Sequence, residues 1–342
     1  MAGKIEVKGS HVKSSASPKE YEVYVQMGLA CNGCAYIYVG KHIPSGSFVA
    51  IRKVNLENCP VKFDDLAHEI AMHRLFNSPH ILECFSTFLS EDTLWVVMPL
   101  QGYGSCMDIM QARFQFGLPE LAIALILKQV LEALVYLHEC GIIHRSLRAS
   151  HILVSETGQV VISGLRNCYL LERFGLVENK CWHFPTNSDK AINYYSPELL
   201  GSLGVVACEL ANGHTPFANL KSYEILYEKL EGNRPRLLDS SNTSFSNDSE
   251  VYHSRTFSTD FHEFAEKCCS YSPDERPTAK ELLNHRFFNQ TKQISFGQLP
   301  KMLEPLTPLT SSVLENHTEM GAVSSVTDQL ASATLTDLQW EF

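Results

Sequence analysis

Residues 144 to 151 read His-Arg-Ser-Leu-Arg-Ala-Ser-His: two histidines, two arginines and two serines, with no acid among them. Cationic donors interleaved with hydroxyls suit an anion such as phosphate, which arginine can grip as a planar fork. What the loop lacks is a carboxylate. It therefore offers no carboxylate to serve as a base or as a hard oxygen ligand for a divalent cation, and a serine such as Ser146 cannot act as a base near neutral pH. A second chemically suggestive spacing is Cys31-Asn-Gly-Cys34. Zinc needs a second ligand pair, and a redox motif needs a helix N-terminus in a thioredoxin-like unit. The pair falls between two strand patterns, so it reads as small residues in a turn.

The elements around the loop define where it must sit. Ahead of it, LAIALILKQVLEALVYLHECGIIH from Leu121 has helical spacing, and behind it HILV reads as a strand. Lys128, Gln129 and Glu132 interrupt the apolar run at helical intervals, which argues against a membrane span. Upstream, residues 21–25, 35–39 and 48–54 alternate as strands, with turn residues at Asn32-Gly33 and Pro44-Ser45-Gly46. Residues 64–76 follow as a helix, acids first and basic residues last. Two further strand patterns, ILECFSTFL and TLWVVMPL, complete a small sheet with one helix. Beyond Gly102-Tyr103-Gly104-Ser105 the character turns helical, at 119–140, 204–211, 222–231, 260–270 and 278–284, with the β insert HILVSETGQVVISG among them. Residues 233–256 read as an exposed Ser/Asn-rich loop. The first 20 residues read as disordered and 291–342 as a flexible tail ending in Trp340-Glu341-Phe342.

The 342 residues suffice for two lobes, and 44% apolar with 19% charged residues is ordinary globular composition. A net charge of -10 argues against a nucleic-acid binder. The first 20 residues are polar and lack the apolar core of a signal peptide, so the 11 cysteines read as reduced thiols and the expected location is cytoplasmic, with the nucleus as an alternative. Neither nucleic acid nor membrane is expected as a partner.

A sheet-rich lobe followed by a helical one resembles a protein kinase, and six motifs stand in family order. Val49-Ala50-Ile51-Arg52 takes the place of VAIK, and Glu69 that of the helix-C glutamate. His144-Arg145-Ser146 stands for HRD, and Gly164-Leu165-Arg166, eighteen residues beyond Ser146, for DFG. Tyr195-Ser196-Pro197-Glu198 resembles the APE region, and Asp274-Glu275-Arg276-Pro277 the end of the domain. The resemblance covers residues 21–288 and implies an α+β, bilobal protein-kinase-like fold, with a β-rich N-lobe at 21–98 and a helical C-lobe at 99–290. Glu69, Glu198 and Arg276 would be its structural residues.

By the same resemblance the chemistry is gone. Phosphoryl transfer is mostly positioning and charge neutralisation by a lysine, metal-holding Asp and Asn residues and a catalytic Asp. Those positions hold Arg52, Gly164, His151 and Ser146, and the loop lysine is Arg148. A general base is worth ~10²–10⁴ in rate and each preorganised electrostatic group ~10²–10³. Their joint absence implies no enzyme, no catalytic residue and no metal site.

Nucleotide binding is a separate matter. The glycine-rich turn keeps Gly28 and Gly33 without a clean G-x-G-x-x-G, and two extra residues separate Gly28 from Arg52. With Met98 as gatekeeper, Pro99 offers the carbonyl that adenine's amino group needs and Gln101 an N–H donor. Arg52, Arg166 and His151 would neutralise phosphate in place of metal. The expectation is metal-independent ATP binding; the alternative is that these residues pack or solvate a vacant cleft.

HRS-x-x-x-x-H, GLR, TLWVVMPL, GYGS, NLENC, ASHILVS, CELANGH, RTFSTDFHEF and the terminal Trp-Glu-Phe are similar to the STE20-related adaptor pseudokinases. That resemblance implies an allosteric adaptor that binds and activates liver kinase B1, a serine/threonine kinase, and favours its cytoplasmic retention. A helical-repeat scaffold of the calcium-binding protein 39 type completes the complex, receiving Trp340, Glu341 and Phe342 as peptide anchors. The alternatives are a nucleotide-binding module with another partner and a weak residual kinase. One departure stands out: Leu199-Leu200 runs straight into GSLGVVACEL, so part of the central C-lobe helix is missing, with an Asp that would hydrogen-bond the HRD backbone.

Overall fold

A computed structural model describes residues 15–30, 35–170, 202–241, 250–270 and 276–311. Two compact units emerge. The first runs to Asn77 and continues over Ile81–Gly104 and from Thr307; the second holds Ser78–His80 and Ser105–Leu306. The change of unit falls after Gly104, a few residues beyond the expected 98.

The first unit is an antiparallel sheet of order β1-β2-β3-β5-β4, from β1 (Tyr21–Ala30), β2 (Ala35–His42), β3 (Phe48–Asn55), β4 (Ser86–Ser90) and β5 (Thr93–Pro99). Val49 and Ile51 of β3 join Tyr21, Phe88, Trp95 and Val97 in one core cluster. Successive side chains of a strand point to opposite faces, so Ala50, Arg52 and Val54 face the other way. All three are also buried, so both faces of β3 are covered. Helix α1 (Phe63–Leu75) starts with Asp64 and Asp65 and ends with His73 and Arg74, matching its dipole.

The second unit contains α2 (Cys106–Arg113), α3 (Glu120–Glu139), α4 (Ser202–Asn212), α5 (Ser222–Leu230), α6 (Glu250–His253), α7 (Thr259–Cys268), α8 (Ala279–Leu282) and α9 (Leu299–Met302). Between β5 and α2 lies the two-residue strand β6 (Gly104–Ser105); β7 (Ile142–Ile143), β8 (Ile152–Val154), β9 (Val160–Ile162) and β10 (Tyr169–Leu170) fall between α3 and α4. Helix α3 has the length and hydropathy to cross a bilayer, but 67% of its apolar window is buried within the protein, as in a core helix. Gln129, midway along it, explains the polar interruption. Its amide donates to the carbonyls of Leu125 and Gly158 and its oxygen accepts from the Val160 N–H at 2.9 Å, tying the β8–β9 hairpin to the helix.

Three expected limits need correction. Residues 15–20 belong to the fold rather than to a disordered N-terminus. Ser15 is buried, its hydroxyl lies 2.6 Å from His42 Nε2, and its carbonyl accepts from Tyr21 and Ser86. The described parts of 233–256 are anchored rather than exposed throughout: Leu237, Asp239 and Tyr252 are buried, and Asp239 accepts from the Phe257 N–H and faces His262. The guanidinium of Arg255 lies between the rings of Tyr252 and Phe257, 4.7 Å from each. Third, the tail does not begin at 291. Leu299 and Leu303 are fully buried, because apolar side chains at the start of that segment are taken up by the second unit's core.

Helix α4 survives the missing stretch as about three turns. Leu203, Val205, Val206 and Leu210 are buried in it. At Gly204 a Cβ would come within 2.3 Å of Cys269 Sγ, so the glycine permits the close approach of α7's end.

Candidate functional site: a catalytic-loop remnant without acids

The loop between β7 and β8 is held by its own polar groups. His144 donates from Nε2 to the Ser163 carbonyl at 2.8 Å and accepts the Ser146 N–H at Nδ1, which assigns its tautomer. Arg145 adopts a left-handed φ of 56°, sparsely populated for a residue with a Cβ. Its Nε–H reaches the Asn167 carbonyl at 2.7 Å, and its guanidinium faces the Tyr169 ring at 5.3 Å. The loop backbone is also held from α4: buried Glu209 accepts the Ala149 N–H at 2.9 Å and the Thr215 hydroxyl at 3.0 Å. The Asp expected to brace this loop lies in the missing stretch, and Glu209 supplies a carboxylate from the turns that remain. Its signal in the sequence was a single acid inside the apolar SLGVVACELAN.

Ser146, His151 and Gly164 come together as the motif spacing required. Ser146 is buried, with its hydroxyl 3.3 Å from His151 Nδ1. His151 Nδ1 donates to the Ser146 carbonyl at 2.5 Å, and Nε2 accepts from Arg148 at 3.1–3.3 Å. One nitrogen faces an acceptor and the other faces donors, so the ring is neutral. Burial, reinforced by the Arg148 charge, holds His151 well below the ordinary histidine range. This corrects its expected role: a 3% exposed neutral imidazole with both nitrogens engaged does not neutralise phosphate.

Arg166 sits on the turn after Gly164, half-buried, with its Nε–H buried and without a hydrogen-bond partner among the described residues. Its charge is close enough to help depress His151.

In the first unit, Arg52 Nη1 donates to Glu69 Oε1 at 2.7 Å, with both side chains essentially inaccessible. Glu69 Oε2 has no hydrogen-bond partner among the described residues. His73, one turn on, donates from Nδ1 to the Leu82 carbonyl at 2.6 Å, and burial keeps it below its ordinary range. Arg52 is therefore the counter-charge of Glu69. Gly28 lies within β1, paired with Ile37 beside register shifts at 23–28, rather than in a turn of its own. At the end of β5, the Gln101 side-chain amide reaches the Pro99 carbonyl at 3.4 Å. Arg276 is buried and donates to the Ser270 carbonyl at 2.8 Å. Gly33, Glu198, Trp340, Glu341 and Phe342 lie outside the described residues, as do Cys31 and Cys34.

The protein kinase fold implies a divalent cation held from positions 151 and 164, and these residues do not fit one. Position 164 has no side-chain donor atom, and both ring nitrogens of His151 are engaged. Among the described residues no group of three His, Cys, Asp or Glu could hold a metal.

Residues 21–288 match the protein kinase domain, which includes the loop of residues 144–151. The STE20-related kinase adapter protein alpha of Homo sapiens is 36% identical over 368 residues, covering 94% of this chain and 84% of its own length. The Gallus gallus alpha protein is 38% identical over 336 residues, covering 85% and 86%, and the Homo sapiens beta protein 31% over 342, covering 87% and 82%. The chain belongs to the STE20-related kinase adapter family. The human alpha alignment spans more positions than this chain has residues, so that relative carries segments with no counterpart here.

Proposed function

We propose that this protein is a catalytically silent adaptor that binds a serine/threonine kinase, liver kinase B1 by family resemblance, and activates it allosterically. A helical-repeat scaffold of the calcium-binding protein 39 type would complete the assembly through Trp340, Glu341 and Phe342, and the complex would favour the partner's retention in the cytoplasm. The observation that carries the reading is a loop still braced by His144, Arg145 and Glu209 while Ser146, His151 and Gly164 offer neither base nor metal ligand. The Arg52–Glu69 pair likewise keeps the ion pair by which a working kinase sets its lysine, in a form that is not interchangeable at a phosphate. Shape is kept where chemistry is lost, which is what an adaptor requires.

The test is reconstitution with the candidate kinase and scaffold, reading the partner's phosphorylation of a peptide. Stimulation supports the reading, and an unchanged rate refutes it. Deleting residues 340–342 should weaken scaffold pull-down. Radiolabelled ATP transfer by the purified chain should match an Arg52→Ala control. ATP binding without metal belongs to the same proposal, with Arg52 and Arg166 as its cationic groups and adenine displacing the long Gln101 contact on Pro99. Stabilisation by millimolar ATP in EDTA tests it.

A further inference from the structure

Gly164 has φ +77°, and a Cβ built on it would lie 2.4 Å from His151 Nδ1, 2.6 Å from Cε1 and 2.7 Å from Cγ. Contacts this short are impossible for real atoms, and three of the five ring atoms are involved. The obstacle is not the free end of a flexible chain. The ring is fixed at Nδ1 by the Ser146 carbonyl and at Nε2 by Arg148, and it is 3% exposed. The backbone behind it is fixed too, since the His151 carbonyl accepts both the Ser163 N–H at 2.8 Å and the Ser163 hydroxyl. A side chain at 164 therefore has nowhere to go without breaking one of these bonds.

We propose that His151 and Gly164 form a steric lock: the imidazole fills the volume through which a metal-holding carboxylate at 164 would have to pass. On this view position 164 cannot return alone to a metal-binding residue. Restoring the carboxylate requires removing the imidazole first. Loss of the divalent-cation site is then a packed arrangement rather than a missing ligand. The inference concerns the same loop as the nucleotide reading but does not depend on it, because it is read from stability with no nucleotide present.

A double-mutant cycle on the full chain tests it. Any residue with a Cβ at 164 suffers the positive-φ strain in every background, so that cost cancels from the cycle and the steric part remains. Gly164→Ala should lower the melting temperature by roughly 5 °C or more, as expected for overpacking on a fixed neighbour. In the His151→Ala background the same substitution should cost less than half as much. Equal costs in the two backgrounds would overturn the lock. Gly164→Asp provides a second measurement, again with no nucleotide present: alone it should gain no magnesium-dependent thermal shift. A clear magnesium-dependent shift in that single variant would show that the carboxylate has room, and the proposal would fail.

Discussion

Replacing Arg52 with methionine removes the counter-charge of a carboxylate that has no exposed surface. At 2.7 Å, with an effective dielectric of about 20, the pair's attraction is about 6 kcal/mol. Each buried ion costs several kcal/mol in lost hydration, so the intact pair is close to neutral for stability. The geometry supports that balance, since Glu69 Oε2 has no hydrogen-bond partner among the described residues. Removing only the arginine recovers its own desolvation but strands the glutamate, for a net loss of about 3–5 kcal/mol. His73 lies 3.9 Å away with Nδ1 committed to Leu82, and burial, the largest cause of its lowered pKa, still opposes its taking over the charge once Arg52 is gone. The Arg52→Met melt should therefore fall by roughly 6–20 °C. The double variant Arg52→Met/Glu69→Leu should return to within about 1 kcal/mol of the parent or exceed it, because no charge is left buried. Urea denaturation followed by tryptophan fluorescence reads both, Trp95 lying in the first unit's core. A single-variant loss below about 1 kcal/mol, or a double variant as weak as the single, would refute this account of the pair.

Two further outcomes follow from the second unit. Glu209→Ala removes the acceptor of the Ala149 N–H, at about 1–3 kcal/mol if that group stays dry, together with its bond from the Thr215 hydroxyl, and should speed amide exchange across residues 145–151. Glu209→Gln keeps an acceptor and should cost less; equal exchange in all three proteins would show that α4 does not brace the loop. The His80–Glu132 pair predicts a pH dependence. Burial pulls the half-buried His80 down, but Glu132 at 2.9 Å and the Val160 carbonyl at 3.0 Å outweigh it, and its pKa is raised above 6.5. The hydrogen bond from His80 lowers Glu132 below 4.5, with Lys128 adding to the effect. The histidine's contribution is complete below about 6.5 and lost as pH rises through its raised value. The glutamate's is complete above about 4.5 and lost as pH falls through its lowered one. Glu132→Gln should therefore cost more stability at pH 6 than at pH 8.5 in parallel denaturation series, and an identical cost at both would refute the pairing. The effect should be modest and salt-sensitive, because the Glu132 side chain is 40% exposed.

How far each of these was legible depends on how local its cause is. The alternation of Phe48–Asn55 and the helical spacing of Phe63–Leu75 depend on neighbours a few residues away, so the strand and the helix that carry Arg52 and Glu69 could be read directly. The tail's start was misread because its few apolar residues carry no period; Leu299 and Leu303 are ordered by a core that the other helices build. No sequence pattern singles out His80, because its acceptors, Glu132 and Val160, lie far along the chain.

The catalytic loop divides in the same way. The residues alone show that Ser146, His151 and Gly164 carry no acid, and the resemblance to a protein kinase implies that they stand where a base and two metal ligands would be. Whether His151 is a cation facing phosphate or a neutral ring facing a glycine is a matter of environment. Burial strips its hydration, Arg148 occupies its free nitrogen, and the left-handed Gly164 leaves it the space. Sequence determined that these positions hold no acid; tertiary packing decided how Ser146, His151 and Gly164 fit together, because desolvation and excluded volume exist only once distant segments meet.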